Sequence, residues 1–368
     1  MNLIKGLKLM GIVYVVWPLS SDSTSLFKRI IYLSVWWFHF INYIIGILFT
    51  LNTCYKGRKD INLVTFSSME VLAFIESLTV LIIYKYYVNL LKRLLIQIEE
   101  YMKSAGLDRK FYLKERGAVF AVMMVLIMQL YGIIIVLYIT NPVETKWETF
   151  LTTAYYPPSI RTPVIDALLL THQLAAMLHS SVMIVFDIIV VTLIYGCTVR
   201  LKVLAKQFGK ADRYEELLHC VRQHQEILIL ASDTIKVVRF VIMKTVSCFV
   251  CYTVGAGLQI VNPKATTVSL ERFGVVLLIN SVRLIMIALS ADDLSVASKE
   301  IGSSVYSTIW YNDDKDMVIA KKLIMLRCQS IVKVSVAGLI TALSLSYTTG
   351  IISSAVSYFT TLRAITGS

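Results

Sequence analysis

The sequence predicts an all-α, seven-transmembrane helical membrane protein. Its N-terminus is cytoplasmic, its C-terminus extracellular, and its spans extend into a cytoplasmic helical anchor bundle. Three observations predict this. Hydrophobic residues make up 57% of the 368-residue chain and charged residues only 16%, where a soluble domain carries about 25% charge. Apolar runs near the roughly 20 residues needed to cross a bilayer recur along the chain. Lys and Arg fall unevenly between those runs, and the richer side marks the cytoplasm.

The first 28 residues read as a cytoplasmic re-entrant or amphipathic segment. MNLIKGLKLMGIVYVV carries an apolar stretch but no small-residue cleavage site, so it does not read as a cleaved signal peptide. Residues 29–197 hold spans one to four: Ile30–Leu51, Leu63–Tyr84, Ala118–Thr140 and Val164–Gly196. The fourth is longer than a bilayer requires and is expected to run on into the cytoplasm. Residues 198–240 read as a helical anchor, and 241–291 hold span five (Val241–Val261) and span six (Phe273–Leu289). Residues 292–340 read as a further cytoplasmic anchor helix. Residues 341–368 hold the seventh span, Leu343–Leu362, the least hydrophobic of the set.

With the N-terminus inside, the inner segments collect about three times as many Lys and Arg as the eight of the outer segments. Positive-inside therefore sets the orientation. The net charge of +12 follows from these flanking residues, which meet anionic headgroups, and is not a nucleic-acid signature. The inner segments are helical in pattern: Leu90, Leu91, Leu94, Leu95 and Ile98 repeat at helical spacing, as do Leu217, Leu218, Val221, Leu228 and Ile235. Such faces bury against a partner element, either within the chain or between subunits.

Enzyme chemistry finds no support. There is no Gly-rich phosphate loop, nucleophile elbow or HExxH. Cys248 and Cys251 form a CxxC inside an apolar run without a second pair, and zinc sites need four ligands. His172 and His179 share a helix face without a carboxylate or thiol beside them. No metal or cofactor is expected, and no disulfide. Asp187, Arg283 and Glu70 are ionisable residues inside spans, where charge is costly and marks function or a buried partner. A structural hydrogen bond is the better reading for Asp187 and Arg283. Seven-span G-protein-coupled receptors run in the opposite orientation, and their Asp-Arg-Tyr and Asn-Pro-x-x-Tyr motifs are absent.

Two sites are expected. In the outer half of the bundle, Phe66, Glu70, Phe74, Tyr131, Gly132, Ile135, Met177 and Ser181 read as a pocket for a small apolar ligand, against the alternative of ordinary bundle core. On the seventh span, Ser346, Gly350, Ser354, Ser357 and Thr361 form one small, polar stripe. That stripe is either a close-packing face or the wall of a water-filled pore shared between subunits.

The C-terminal third carries three ordered motifs: SSVYSTIWY (Ser303–Tyr311), KKLIMLRCQSIVKVSVAGL (Lys321–Leu339) and SYFTTLRAI (Ser357–Ile365). They resemble the signatures of the insect odorant receptors. Weaker similarity lies in LKLMGIVYVVWP near the start, FDIIVVTLIYG around Asp187, and LLHCVRQHQEIL (Leu217–Leu228). Where that family shows a Cys-x-x-Gly-like turn after the sixth span, this chain reads IALSADDL (Ile287–Leu294). The last-span motif of the related gustatory receptors is absent, as is the large inner insertion of the odorant co-receptor. The resemblance thus implies a ligand-tuning subunit of an odorant-gated, non-selective cation channel. It implies a heterotetramer with the co-receptor, a volatile organic ligand, and a place in the dendritic plasma membrane of olfactory neurons. It also decides the stripe in favour of a pore, with Ser354, Ser357, Thr361 and Ile365 on its wall and gate. A homomeric gustatory-type channel is the alternative, and a transporter a more distant one.

Overall fold

A computed structural model describes residues 2–19, 26–103, 107–141, 143–144, 149–262, 265–310, 313–336 and 342–366. These form α1 (Asn2–Val13), α2 (Leu26–Lys56), α3 (Ile61–Lys103), α4 (Leu107–Thr140), α5 (Pro163–Ser180) and α6 (Val182–Phe208). After them come α7 (Tyr214–Val261), α8 (Thr267–Tyr306), α9 (Lys315–Cys328) and α10 (Leu345–Thr366). The departure from the all-α expectation is a two-residue antiparallel pair, β1 (Val143–Glu144) with β2 (Thr149–Phe150).

Among the described residues, six helices are long and apolar enough to cross a membrane: α2, α3, α4 from Gly117, α5 with α6, α7 and α8. At 1.5 Å per residue the 43-residue α3 and the 48-residue α7 are roughly 65 and 72 Å long, twice a bilayer core. Neither contains a proline, and the leucine periodicity runs through both without a break. The expected α3 face buries inside the chain itself, with Leu91, Leu94, Leu95 and Ile98 nearly inaccessible, whereas on α7 only Leu217 of the expected face is buried and Leu218, Val221, Leu228 and Ile235 are half-buried. α10 has 22 residues, about 33 Å, but is too polar to join the six.

α6 is the central post. In the α5–α6 span, 94% of the most apolar window is buried, and α6 packs chiefly on α8 and α7. The single fourth span expected from Val164 to Gly196 breaks at Ser181. Ser180 Oγ donates to Met177 O at 2.7 Å and Ser181 Oγ to Leu178 O at 2.8 Å. Side chains bonded back onto the preceding turn bend a helix. The run IALSADDL, which departs from the family's turn motif, is uninterrupted helix within α8. Ala288, Ala291 and Leu294 bury on one face, and no glycine or proline interrupts them. Asp292 Oδ2 then accepts Leu345 N at 3.1 Å, fixing where α10 begins.

The N-terminal segment re-enters the bundle. Val15 adopts a φ of 61°, turning the chain so that Val15, Val16 and Trp17 are buried. Tyr32 Oη donates to Trp17 O at 2.7 Å and accepts from Trp17 N at 3.1 Å, so both main-chain groups of the buried turn are satisfied.

Candidate functional site: a capped apolar cavity beside a buried charge cluster

Four charged side chains meet in the middle of the bundle, one from each of α3, α6, α7 and α8. Arg283 Nη2 lies 2.5 Å from Glu76 Oε1, and Arg283 Nε donates to Asp187 Oδ2 at 2.7 Å. Lys244 Nζ sits 3.0 Å from Glu76 and 3.5 Å from Asp187. Two cations face two anions, so the buried set is neutral. An unpaired buried ion costs several kcal/mol even after relaxation, so the four hold as a unit. Arg283 Nη1 also donates to Asn280 Oδ1 at 2.9 Å and approaches Met183 Sδ at 3.6 Å.

Asn280 and Met183 form part of the wall of a cavity. Its volume is about 110 Å³, far more than the roughly 10–15 Å³ needed for one water. α3 contributes Met69, Glu70, Ala73 and Phe74, and α4 contributes Tyr131, Ile134, Ile135 and Tyr138. Met177 and Ser180 come from α5, Tyr252 from α7, and Val276 and Ile279 from α8. Both the α3 and the α4 sets share one face of a 3.6-residue helix. Glu70 is the one formal charge in an otherwise apolar and aromatic lining.

The stretch from Leu151 to Tyr156 caps the cavity. Thr152, Thr153, Ala154, Tyr155 and Tyr156 are buried, which is unusual for a connecting segment and requires partners for its backbone. Thr153 N and Oγ1 donate to Glu70 Oε2 at 2.8 and 2.7 Å. Thr53 Oγ1 donates to Thr153 O at 2.6 Å. Gln173 holds the next residue, accepting from Thr152 N at 3.3 Å, and Tyr155 N donates to Phe49 O at 3.3 Å. Thr152 itself lines the cavity.

Of the eight pocket residues expected from sequence, Glu70, Phe74, Tyr131, Ile135 and Met177 surround this cavity. Three do not. Gly132 is exposed and a Cβ there would meet nothing: one residue past Tyr131 rotates the position about 100° around the helix. Ser181 misses by the same rotation, and its neighbour Ser180 takes the place, bonding Tyr131 Oη. Phe66 shares the Glu70 face but lies one turn away, packed 5.2 Å from Phe273. Ile134 and Tyr138 were within reach of the sequence, three and seven residues from Tyr131 on the same face. The contributions of α7 and α8 carried no local signal.

Glu76 and Lys244, the unforeseen partners in the charge cluster, answer the question posed by Asp187 and Arg283. His172 and His179 turn toward α2, away from the cavity. His179 stacks on His39 at 3.5 Å and bonds Tyr43 Oη at 2.7 Å, and His172 bonds Asn42. Among the described residues no three metal-binding side chains converge.

On α10, Ser354, Ser357 and Thr361 lie on the exposed face of the single chain, with Ser346 and Gly350. The side chain of Ile365 lies outside the described residues. The opposite face packs on α7 and α8. A Cβ on Gly257 of α7 would come within 2.5 Å of the Tyr358 ring, so α7 and α10 are in direct contact there.

Comparison with known proteins agrees with this architecture. The family model described as 7tm Odorant receptor matches residues 62–356. The fold matches the insect olfactory receptor OR5 from Machilis hrabei with a TM-score of 0.79, at 14% identity, over 99% of this chain and 98% of that one. The same receptor in complex with eugenol matches with a TM-score of 0.77, at 14% identity, over 99% of both chains. No curated protein sequence matches the chain significantly. With the family model spanning most of its length, the chain is a multi-pass membrane protein that belongs to the 7tm odorant receptor family.

Proposed function

We propose that this odorant receptor is the ligand-tuning subunit of an odorant-gated, non-selective cation channel. A small volatile ligand binds in the capped cavity, a reading supported by the complex of the Machilis hrabei receptor with eugenol, and binding opens a pore lined by α10. The pore belongs to a heterotetramer with the co-receptor, in the plasma membrane of the olfactory neuron dendrite. The N-terminus is cytoplasmic and the C-terminus extracellular, and α9 with the far halves of α3 and α7 forms the cytoplasmic anchor.

One observation carries this reading. The hydroxylated face of α10 is exposed on the single chain, while its other face rests on α7 and α8, which also wall the cavity. A polar face on a membrane helix calls for water or protein partners, and a pore shared between subunits supplies both. Ligand contacts reach α10 through only one intervening layer.

Recording currents with and without an insect odorant co-receptor, over an odorant panel, tests the channel and the partner together. Cysteines placed at Ser354, Ser357 and Thr361 should be modified by water-soluble thiol reagents faster when ligand is present. Uniform protection in both states would leave α10 as a packing face. A tag after Ser368 should be reachable on intact cells and a tag before Met1 should not, and the reverse result would overturn the orientation.

A further inference from the structure

At the capped end of the cavity Glu70 and Thr152 both contribute to a lining that is otherwise mainly aliphatic and aromatic. Each keeps a buried oxygen with no hydrogen-bond partner: Glu70 Oε1 and Thr152 Oγ1. The other Glu70 oxygen is committed to the two Thr153 donors, and Thr152 N is committed to Gln173. Three other polar side chains of the lining are already used, and the Tyr138 hydroxyl lies beside Glu70 itself. Asn280 donates to Val276 O and accepts from Arg283, and Tyr131 and Ser180 bond each other and Met177 O. Buried polar groups in folded proteins are almost always paired. Two unpaired oxygens of adjoining segments, one a pure acceptor and one a hydroxyl, therefore ask for the same thing: a group that donates to one and accepts from the other.

Resting on the reading of this cavity as the odorant site, we propose that its preferred ligands are neutral alcohols or phenols with an apolar body. The ligand hydroxyl donates to Glu70 Oε1 and accepts from Thr152 Oγ1. A cation is the other partner a carboxylate could take. Arg272 already places positive charge near Glu70, and the remaining walls are aromatic and aliphatic, so desolvating an ammonium gains too little here. Glu70 thus has two tasks: one oxygen latches the cap and the other reads the ligand.

Matched ligand pairs test this on the channel expressed with a co-receptor: benzyl alcohol against benzyl methyl ether, and eugenol against its methyl ether. The hydroxyl member should be more potent by about tenfold, the scale of leaving a buried acceptor unpaired. In Glu70→Gln, the amide oxygen must face the Thr153 donors, so the NH₂ takes the place of Oε1. The site then offers a donor instead of an acceptor, and the preference should vanish or reverse. Thr152→Val, which leaves the Glu70 latch intact, should reduce the preference without reversing it. Equal potency of alcohol and ether in the unaltered channel would overturn the inference, meaning that the two oxygens satisfy each other. A protonated amine outcompeting its alcohol would overturn it in favour of a cation site. Phe74→Ala separates the two levels: if it shifts potency for both members of each pair, the cavity reading stands whatever happens to the hydroxyl preference. If it shifts neither, the cavity reading falls and this inference falls with it.

Discussion

Glu70 and Glu76 stand on the same helix, both buried, yet they sit in opposite kinds of interior. Glu76 belongs to a set in which each cation and anion has an opposite charge within 3.5 Å, so its charge is matched although its Oε2 has no hydrogen bond of its own. Glu70 spends one oxygen on a capping segment and leaves the other without a hydrogen bond beside a cavity. A closed ionic set has little reason to move, because separating any pair exposes charge to a low-dielectric surround. An open polar group can be completed by a ligand. The two are coupled, since Arg283 holds Asn280 and Met183 in the cavity wall. A rigid polar floor therefore sits beneath an adaptable capped chamber, and changes at the floor should damage assembly while changes at the cap should alter recognition.

The largest expected effect comes from breaking the floor. Arg283→Met leaves Glu76 and Asp187 sharing Lys244 alone. Removing one partner of a buried ionic set costs about 3–5 kcal/mol, so surface-labelled receptor should fall steeply. Adding Asp187→Asn restores a one-to-one Glu76–Lys244 pair and should recover part of the surface population. A strong positive interaction in that double-mutant cycle is the signature of a unit. Independent, additive losses would mean that the four charges are separate and that the contrast with Glu70 is only one of degree.

How far these regions could be read from sequence follows from the same physics. Long helices were legible because leucine periodicity persists through α3 and α7 beyond the bilayer. Asp187 and Arg283 were visible as charges inside apolar runs. Glu76 and Lys244 carry the same signal, as charges inside the spans Leu63–Tyr84 and Val241–Val261, but no local pattern links them to Asp187 and Arg283 in other helices. The cavity was partly legible: α3 and α4 each bring a single face, but a one-residue error at Gly132 or Ser181 turns a side chain about 100° away. The Ser180–Ser181 bend was hidden because serine is tolerated in helices and bends them only through back-bonding. The cap was invisible, since residues 151–156 are too short a run to be read as an element, although their apolar and aromatic content is the one signal that they bury.

A smaller effect should follow from loosening the cap. Thr153→Val deletes the 2.7 Å hydroxyl bond to Glu70 and keeps the side-chain shape, while the Thr153 N donor remains. Hydrogen bonds to charged groups are worth about 1.5–3 kcal/mol, and here the loss is shared with the Thr53 and Gln173 contacts. Current should decay faster after ligand washout, with surface level unchanged. Unaltered washout kinetics together with normal potency would show that the cap takes no part in retaining ligand. Tyr131→Phe probes the opposite wall. It removes the hydroxyl that ties α4 to the α5–α6 bend, and potency should shift by roughly the tenfold that about 1.4 kcal/mol represents, for alcohols and ethers alike. A change confined to alcohols would make Tyr131, and not Glu70, the reader of the hydroxyl.

The smallest effect should lie on α10, a third polar region that differs from both carboxylate sites. Its hydroxyls are already satisfied by their own helix: Thr361 Oγ1 donates to Ser357 O at 2.8 Å and Ser354 Oγ to Gly350 O at 2.9 Å. These two offer water an acceptor but no free donor, so each makes this face only mildly polar. Thr361→Val exchanges the hydroxyl for a methyl of nearly the same size, leaving the packing of Tyr358 against Gly257 untouched. An apolar ring closes a pore by dewetting, so this change should lower ligand-independent current while surface level and ligand potency stay as they were. Ile365→Ser should act in the opposite direction. In the proposed heterotetramer the effect is divided among four subunits, of which only those of this chain are altered, and it concerns wetting alone. A potency shift as large as that of Tyr131→Phe would mean that Thr361 acts through the cavity and not at the conduction path. The separation of chamber, floor and pore wall would then have to be redrawn.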